Sequence, residues 1–127
     1  MGKRTALILG CNGQDGSLLS QSLLKKGYRI IGISKTQKEQ GSNLQKLGIE
    51  HDVELIFGEM TQLKFLKKLI DQCSPDEIYN LASQSSVGLS FEKPILTIES
   101  IIEITIKILE ACREISYTGQ IFFAGSS

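Results

Sequence analysis

The fold is decided by one glycine-rich stretch, Gly10-Cys11-Asn12-Gly13-Gln14-Asp15-Gly16. The apolar run before it, residues 6–9, is typical of a short strand that is buried on both faces of a parallel sheet. The segment after it places four leucines between residues 18 and 24 on one helical face, and Gly27 follows as a stop signal. The stretch therefore predicts a tight turn between a buried strand and a helix.

Each glycine of this turn meets a different requirement of phosphate binding. Gly10 permits the tight turn, Gly13 lets backbone N–H groups approach the phosphates, and Gly16 lets the helix pack closely on the strand. These N–H groups and the positive end of the helix dipole then face the anion. The spacing is G-x-x-G-x-x-G rather than G-x-G-x-x-G, so a tight turn without a ligand is the alternative interpretation.

Composition and charge narrow the classes of protein to be considered. The chain has 127 residues, 41% of them hydrophobic, and 14 basic residues balance 14 acidic ones. One domain is expected, and the zero net charge argues against nucleic acid or an anionic membrane as a partner. The apolar stretches are too short to span a bilayer, and the first predicted strand begins too early to leave room for a signal peptide.

The three cysteines, Cys11, Cys73 and Cys112, are odd in number and far apart in the sequence. This spacing fits neither a disulfide framework nor a zinc site, so no metal is expected. Reduced thiols in a cytoplasmic protein are the simplest interpretation. Cys11 is interpreted as a filler residue of the glycine turn without a redox role, and the other two as packing residues on helices.

Strands and helices alternate along the rest of the chain. Short apolar and β-branched runs have the length of strands, and segments with apolar residues at helical spacing lie between them. A polar stretch without periodicity, residues 35–43, is expected to be a surface loop. The remaining predicted strands are 28–34, 53–58, 77–82 and 121–124, and a short helical turn is predicted at 42–48.

Two longer helices are predicted in the second half of the chain. Thr61 is expected to cap the first, residues 62–72. Pro94 is expected to start the second, which ends before a turn at residues 117–120. The predicted apolar face of this second helix comprises Ile98, Ile101, Ile102, Thr105, Ile108, Leu109 and Cys112.

This alternation predicts an α/β fold, in which helices cover both faces of a parallel sheet. Right-handed crossovers order the strands as in a doubly wound, Rossmann-like nucleotide-binding domain. Residues 1–127 are therefore interpreted as one dinucleotide-binding domain. The sequence stops after about the fifth strand, at the edge where ligands bind in such folds, so the domain is expected to be incomplete and a substrate domain to be absent.

Residues after the second and third strands bear on the choice of nucleotide. An Asp or Glu after the second strand would bind a ribose hydroxyl and repel a phosphate. This sequence has Lys35 there and no acid between residues 32 and 36, which favours NADP over NAD. A solvated loop lysine is the alternative interpretation. Glu59, just past the third strand, is placed to accept a hydrogen bond from the adenine amino group, and an exposed carboxylate without a ligand is the alternative interpretation.

Two blocks of the sequence are more particular than a generic nucleotide-binding turn. The first is Gly-Gln-Asp-Gly at 13–16, followed by leucines and by Lys-Lys-Gly-Tyr at 25–28. The second runs over residues 75–87 and contains Tyr-Asn-Leu-Ala-Ser-Gln-Ser, and Ser-Phe-Glu-Lys-Pro follows at 90–94. Over nearly all 127 residues the chain resembles the N-terminal part of the GDP-mannose 4,6-dehydratase family, in the extended short-chain dehydrogenase/reductase superfamily.

The resemblance implies a lyase that carries out an intramolecular redox reaction. NADP oxidises the sugar of GDP-mannose at C4, water is eliminated across C5 and C6, and the hydride returns to C6 to give GDP-4-keto-6-deoxymannose. The implied contacts with the pyrophosphate are Gly10, Cys11, Asn12, Gly13, Gln14 and Asp15. Those with the ribose phosphate are Lys35 and Thr36, and those with the adenine are Glu59 and Met60. The implied residues beside the nicotinamide are Leu81, Ala82, Ser83, Gln84 and Ser85.

The catalytic group of the family is a Thr or Ser, a Glu two residues later, and a Tyr-x-x-x-Lys pair. Ser126 stands at the first of these positions, where its hydroxyl would hydrogen-bond the sugar O4 and help the tyrosine remove the proton. The Glu would fall just beyond Ser127, and none of the three tyrosines has a lysine four residues on. The 127-residue chain alone is therefore expected to have no dehydratase activity.

Two alternatives remain open from the sequence. One is a related NADP-dependent epimerase or reductase for another nucleotide sugar, against which Gln14-Asp15 argues. The other is a non-catalytic dinucleotide-binding module, which the 127 residues satisfy as they stand. Lys35-Thr36 departs from the two arginines usual in the family, and the short loop after it bears on the oligomer contacts of relatives. A homo-oligomer is expected for the complete protein.

Overall fold

A computed structural model of the chain describes residues 4–11, 14–34, 43–81 and 94–123. Strands and helices alternate through these ranges, as the sequence predicts. In chain order the elements are β1 Thr5–Leu9, α1 Gln14–Lys25, β2 Arg29–Ser34, α2 Asn43–Lys46, β3 Val53–Phe57, α3 Leu63–Cys73, β4 Glu77–Asn80, α4 Pro94–Glu114 and β5 Gln120–Phe123.

The described strands form one sheet in the order β3-β2-β1-β4-β5, and each neighbouring pair is parallel. Leu9, the last residue of β1, is in register with Ile33 on one side and with Asn80 on the other. The chain therefore builds the sheet outward from β1 in one direction and then, through β4, in the other. This confirms the predicted doubly wound parallel sheet, whose strand order changes direction between β1 and β4.

The central strand is buried on both faces because successive side chains point to opposite sides of the sheet. Leu7 and Leu9 belong to the hydrophobic cluster that also contains residues of α3 and α4. Ala6 and Ile8 belong to a second cluster, together with Leu23 of α1 and with residues of α2. Each of these four β1 side chains is at most 1% exposed, as expected for a strand between two helical layers.

Helix α1 packs on the sheet through small residues rather than through the four leucines as a group. Leu23 is buried, but Leu18 is 48% exposed, so the predicted leucine face is wrong at that position. Ser17 and Ser20 are buried instead, and the Ser20 hydroxyl donates a 2.8 Å hydrogen bond to the Gly16 carbonyl oxygen. Small side chains bring the helix axis close to the sheet, and the neighbouring larger residues then lie at the side of the contact.

The inward face of α4 agrees with the predicted one at Ile108 and Cys112 but differs from it at Ile102 and Leu109, and the side chains of Ile98 and Ile101 lie outside the described residues. Ile104, Ile108, Ala111 and Cys112 are buried against the sheet and α3, at spacings of four, three and one residues. Ile102 and Leu109, which the sequence placed in the same face, are about half exposed. The helix is apolar on more than one side, so periodicity could not decide which of its faces meets the sheet.

Two further local features modify the sequence expectations. Helix α3 begins at Leu63, and its N-cap residue is Gln62 without a side-chain cap hydrogen bond, so the cap predicted at Thr61 is wrong. At its other end Ser74 adopts a left-handed conformation, φ 44°, and donates its N–H to the Ile70 carbonyl oxygen at 2.9 Å. None of the helices in the described ranges is long and apolar enough to cross a bilayer.

Candidate functional site

The candidate site lies at the edge of the sheet where the parallel strands have their carboxyl ends. Parallel pairing brings the carboxyl ends of β1, β2, β3 and β4 to this same edge. Gly10 and Cys11 follow β1, and Gly58, Glu59 and Met60 follow β3. Ligands of open α/β sheets bind in the crevice outside these ends, where the strand order changes direction. The topology therefore places the glycine turn where a nucleotide would bind.

The structure shows the tight turn predicted at Gly10 and the close packing predicted at Gly16, whereas Gly13 lies outside the described residues. Gly10 has φ of 85°, a conformation that favours glycine, so the chain can reverse directly after β1. A Cβ atom added to Gly16 would overlap the Gly10 carbonyl oxygen and would lie 2.9 Å from the Cys11 Cα. Helix α1 therefore begins with its backbone against the backbone of the turn, which leaves its first N–H groups beside the end of β1.

Cys11 points away from the candidate site and into the protein. Its side chain has no exposed area, and its Sγ lies against Gly32 of β2. Burial raises the pKa of this thiol to about 12, although a backbone hydrogen bond acts in the opposite direction. A buried neutral thiol is a poor nucleophile, so the side chain has a packing role, as predicted for a filler residue. Cys11 as a whole has no exposed area, so its predicted contact with the pyrophosphate stays a prediction.

The two residues predicted at the adenine differ in what they present. Glu59 is exposed, and its carbonyl oxygen accepts the Gln62 N–H at 3.1 Å in the turn that leads to α3. The Met60 side chain is buried in the cluster between the sheet and α3 and α4, so only its backbone could contact a ligand. The structure therefore offers the Glu59 carboxylate, but not the Met60 thioether, at this edge.

Leu81 continues the pairing of β4 with β1 past the end of the strand. Its N–H donates to the Leu9 carbonyl oxygen at 2.9 Å, and the residue is partly buried. This hydrogen bond places Leu81 beside Gly10, at the point where the two halves of the sheet meet. Leu81 therefore lies at the carboxyl edge of the sheet, and its predicted contact with the nicotinamide half of the cofactor stays a prediction.

Other predicted site residues have no described side chain. Gln14 and Asp15 are described as backbone only, in the first turn of α1. The remaining predicted positions lie outside the described residues, and they are Asn12, Gly13, Lys35, Thr36, Ala82, Ser83, Gln84, Ser85 and Ser126.

Ionisable side chains gather at the opposite edge of the sheet, where the strands begin. Glu77 of β4 is only 6% exposed. It accepts hydrogen bonds from the hydroxyls of Tyr79 at 2.6 Å and Tyr28 at 2.9 Å, and Arg4 lies 3.1 Å away. Burial by itself would raise the pKa of Glu77, but the hydrogen bonds from Tyr79, Tyr28 and Arg4 lower it overall. The cluster is a satisfied ion pair with two phenol donors.

A cavity of about 500 Å³ opens beside this cluster, at the end of the molecule away from the glycine turn. Several of its polar groups are already paired with protein atoms. The Tyr117 hydroxyl donates to the Pro75 carbonyl oxygen at 2.8 Å, and the Asp76 carboxylate accepts the Thr5 N–H at 2.8 Å. Within the described ranges, His, Cys, Asp and Glu side chains form no group of three or more that could hold a metal.

A family model described as GDP-mannose 4,6 dehydratase matches residues 7–127, almost the whole chain. The chain belongs to the GDP-mannose 4,6-dehydratase family. It is similar to the GDP-mannose 4,6-dehydratase of Vibrio cholerae, with 37% identity over all of this chain and 36% of that protein. The GDP-mannose 4,6 dehydratase 2 of Arabidopsis thaliana is 36% identical over 98% of this chain and 36% of its own length. The present chain spans about a third of the length of the relatives it matches.

Solved structures agree with the fold. A UDP-glucose-4-epimerase from Stenotrophomonas maltophila, solved with bound NAD, superposes with a TM-score of 0.78 over 97% of this chain and 37% of that one, at 19% identity. The UDP-glucose 4-epimerase of Thermotoga maritima gives a TM-score of 0.75 at 21% identity, over 94% of this chain and 37% of that one. At these identities the likeness establishes the Rossmann-like fold of this dehydratase-family chain and nothing finer.

Two glycines with a role at this edge were missed from the sequence. A Cβ atom on Gly32 would overlap the Cys11 side chain, and one on Gly58 would overlap the ring of Phe65. The signal was an isolated glycine within or just after an apolar strand, which marks a close approach of another group. The sequence could have pointed to both positions, but only the tertiary structure names the group that approaches each.

Proposed function

We propose that this chain supplies the dinucleotide-binding part of a GDP-mannose 4,6-dehydratase, a lyase that uses NADP and converts GDP-mannose to GDP-4-keto-6-deoxymannose. The observation that carries the proposal is the packing of Gly16 on Gly10 at the carboxyl end of the central strand. A side chain at position 16 would fill that contact, and the glycine leaves backbone N–H groups free to approach a phosphate. The family membership of residues 7–127 supports the substrate class.

In this proposal the backbone, rather than side chains, binds the pyrophosphate. Residues 10–15 would donate N–H groups to it, and the N-terminus of α1 adds a favourable dipole. Glu59 would accept a hydrogen bond from the adenine amino group, and residues 81–85 would border the nicotinamide. NADP, when bound, supplies reversible hydride transfer with the sugar. Ser126 would donate a hydrogen bond to the sugar O4 and orient the hydroxyl that loses its proton.

The preference for NADP is proposed on the charge of Lys35. A cation after β2 would attract the ribose phosphate, whereas a carboxylate would repel it. Calorimetric titration of the 127-residue chain with NADPH and with NADH tests this. We expect NADPH to bind at least about tenfold more tightly, and Lys35→Glu to remove the preference. Tighter binding of NADH would overturn the NADP assignment but not the dinucleotide site.

The substrate proposal requires an assay that supplies the rest of a dehydratase. We propose a fusion of residues 1–127 to the part of the Vibrio cholerae relative that follows its matched segment. The fusion should convert GDP-mannose, and a matched fusion with Gly16→Val should not. A fusion that binds NADPH but leaves GDP-mannose unchanged would favour the alternative, a non-catalytic dinucleotide-binding module. The 127-residue chain alone should show no turnover, because it contains no Tyr-x-x-x-Lys.

The proposal extends to self-association and cellular context. Ile102, Ile106 and Leu109 form an exposed apolar stripe on α4, opposite to the face that packs on the sheet, and such stripes are typical of helix pairing between copies. Ile106→Glu should then lower the oligomeric mass measured by light scattering.

A cytoplasmic location is proposed on the odd number and wide spacing of the three cysteines. The zero net charge supports neither nucleic acid nor an anionic membrane as a partner.

A further inference from the structure

Cys11 and Gly32 are complementary in shape. Gly32 is the fourth residue of β2 and pairs with Ile8 of β1, three positions before Cys11. After Gly10 the chain turns so that the Cys11 side chain lies over β2, on Gly32. A Cβ atom added to Gly32 would overlap the Cys11 Sγ and would lie 3.0 Å from the Cys11 Cβ. The glycine therefore provides the space that the thiol occupies.

Two further groups lie close to this contact, one from β3 and one from α1. The added Gly32 Cβ would also meet Leu55 Cδ2 of β3 at 3.4 Å, so the cysteine cannot move toward β3 without meeting that leucine. Helix α1 approaches from the other direction, because a Cβ on Gly16 would lie 2.9 Å from the Cys11 Cα. The Cys11 side chain has no exposed area, so a methyl group at position 32 fits only if the thiol and the backbone that carries it move.

We propose that Cys11 and Gly32 are a positioning pair, which holds the backbone of the glycine turn at the distance from β2 that a bound pyrophosphate requires. The inference rests on the proposed dinucleotide site. Neither side chain touches the ligand in this arrangement. The pair acts through the backbone of Gly10 and Cys11, which moves if the cysteine is pushed away from the sheet. Overfilling a packed contact moves the backbone, and backbone donors act only at the correct distance and angle.

The test is a double-mutant cycle. Gly32→Ala adds a methyl group where the thiol lies, and we expect it to weaken NADPH binding about tenfold or more. Cys11→Gly with Gly32→Ala removes the overlap, so NADPH affinity should return to within about threefold of the wild-type value. Binding of 2′-AMP, which lacks the pyrophosphate, should change less than about threefold in either variant. A merely structural role would not separate these two ligands.

A matched control accounts for stability. Gly27 has φ of 88° with open space around its Cα, so Gly27→Ala strains the backbone far from the turn without any overlap. Gly27→Ala should lower the melting temperature and leave the NADPH affinity of the folded protein unchanged.

Peptide-resolved alkylation of the native protein adds a readout that needs no ligand. Cys11 should react about tenfold faster in Gly32→Ala than in the wild type, because the thiol is displaced from its buried place.

The outcomes separate the two proposals. If the wild type binds NADPH and Gly32→Ala binds it equally well, the positioning pair is refuted and the dinucleotide site stands. The pair is also refuted if affinity falls but the double variant does not regain it, or if the alkylation rate of Cys11 is unchanged. If the wild type binds neither NADPH nor NADH, the proposed function itself fails, and the pair loses its role with it.

Discussion

The two edges of the sheet are built from different kinds of group. At the carboxyl edge, Gly10 and Gly16 bring backbone against backbone, and the Cys11 side chain is turned into the core. At the amino edge, Glu77 is surrounded by two tyrosine hydroxyls and an arginine. Strand β5 is attached to that cluster, because the ring of Tyr79 stacks on Phe122 with 4.8 Å between centroids.

The difference separates a binding edge from a stabilising edge. A backbone held close by glycines keeps N–H groups available to an anion, whereas the polar groups of the Glu77 cluster already satisfy one another. We therefore expect substitutions at the carboxyl edge to change ligand affinity, and substitutions at the amino edge to change the free energy of unfolding with little effect on affinity.

The largest effect is expected for Gly16→Ala. In a helix this change ordinarily stabilises by about 1 kcal/mol, but here the new Cβ meets backbone atoms that cannot move independently. We expect the free energy of unfolding to fall by about 3 kcal/mol in urea denaturation, and calorimetry to detect no NADPH binding. Leu18→Ala, on the exposed side of the same helix, is the control and should retain affinity. A stabilised Gly16→Ala variant would contradict the backbone contact.

Glu77→Gln should show the opposite pattern. The amide keeps one acceptor but loses the charge opposite Arg4 and leaves one of the phenol hydroxyls poorly paired. We expect a loss of about 1–3 kcal/mol in the free energy of unfolding and less than a twofold change in the dissociation constant for NADPH. Glu103→Gln, on the exposed side of α4, should change neither quantity. If Glu77→Gln weakened NADPH binding tenfold, the two edges would not be independent.

The pH dependence of stability should originate mainly at the amino edge. Because the folded-state pKa of Glu77 is lowered, its contribution is present above the unfolded-state value of about 4.3 and is lost as the pH falls through the folded-state pKa. Burial and the hydrogen bond to Glu77 raise the pKa of Tyr79, so its contribution is lost only as the pH rises through that raised value. Urea denaturation from pH 7 to 3 should show a smaller decline for Glu77→Gln than for the wild type.

The smallest effect is expected at the exposed ion pair of β2 and β3. Arg29 donates two hydrogen bonds to the Glu54 carboxylate, and both side chains are about half exposed. Solvent and salt screen such pairs, so Glu54→Gln should shift the urea midpoint only slightly, and 1 M NaCl should abolish the difference. A shift as large as that of Glu77→Gln would mean that burial does not distinguish the two carboxylates.

Elements and their order follow from local sequence, whereas helix faces do not. The apolar run of β1, the glycine after it and the stop at Gly27 are properties of a few neighbouring residues, and the structure confirms the elements that they predict. The exposure of Leu18 and Leu109 depends on which side of each helix packs against the sheet. An apolar residue type alone does not show whether its side of the helix is that one. The Glu77 cluster was also unforeseen, because its partners lie far apart in the sequence and a buried carboxylate looks like any other carboxylate there.

The candidate site shows the same division. A glycine turn between a buried strand and a helix could be predicted from the residues alone, because spacing and residue size act over a few residues. The contact of the Cys11 side chain with Gly32, the burial of Met60 and the exposure of Glu59 became evident only from the folded chain. These outcomes depend on the parallel register that brings β2 beside β1 and β3 beside β2. That register is set by packing across the whole sheet rather than by any one segment.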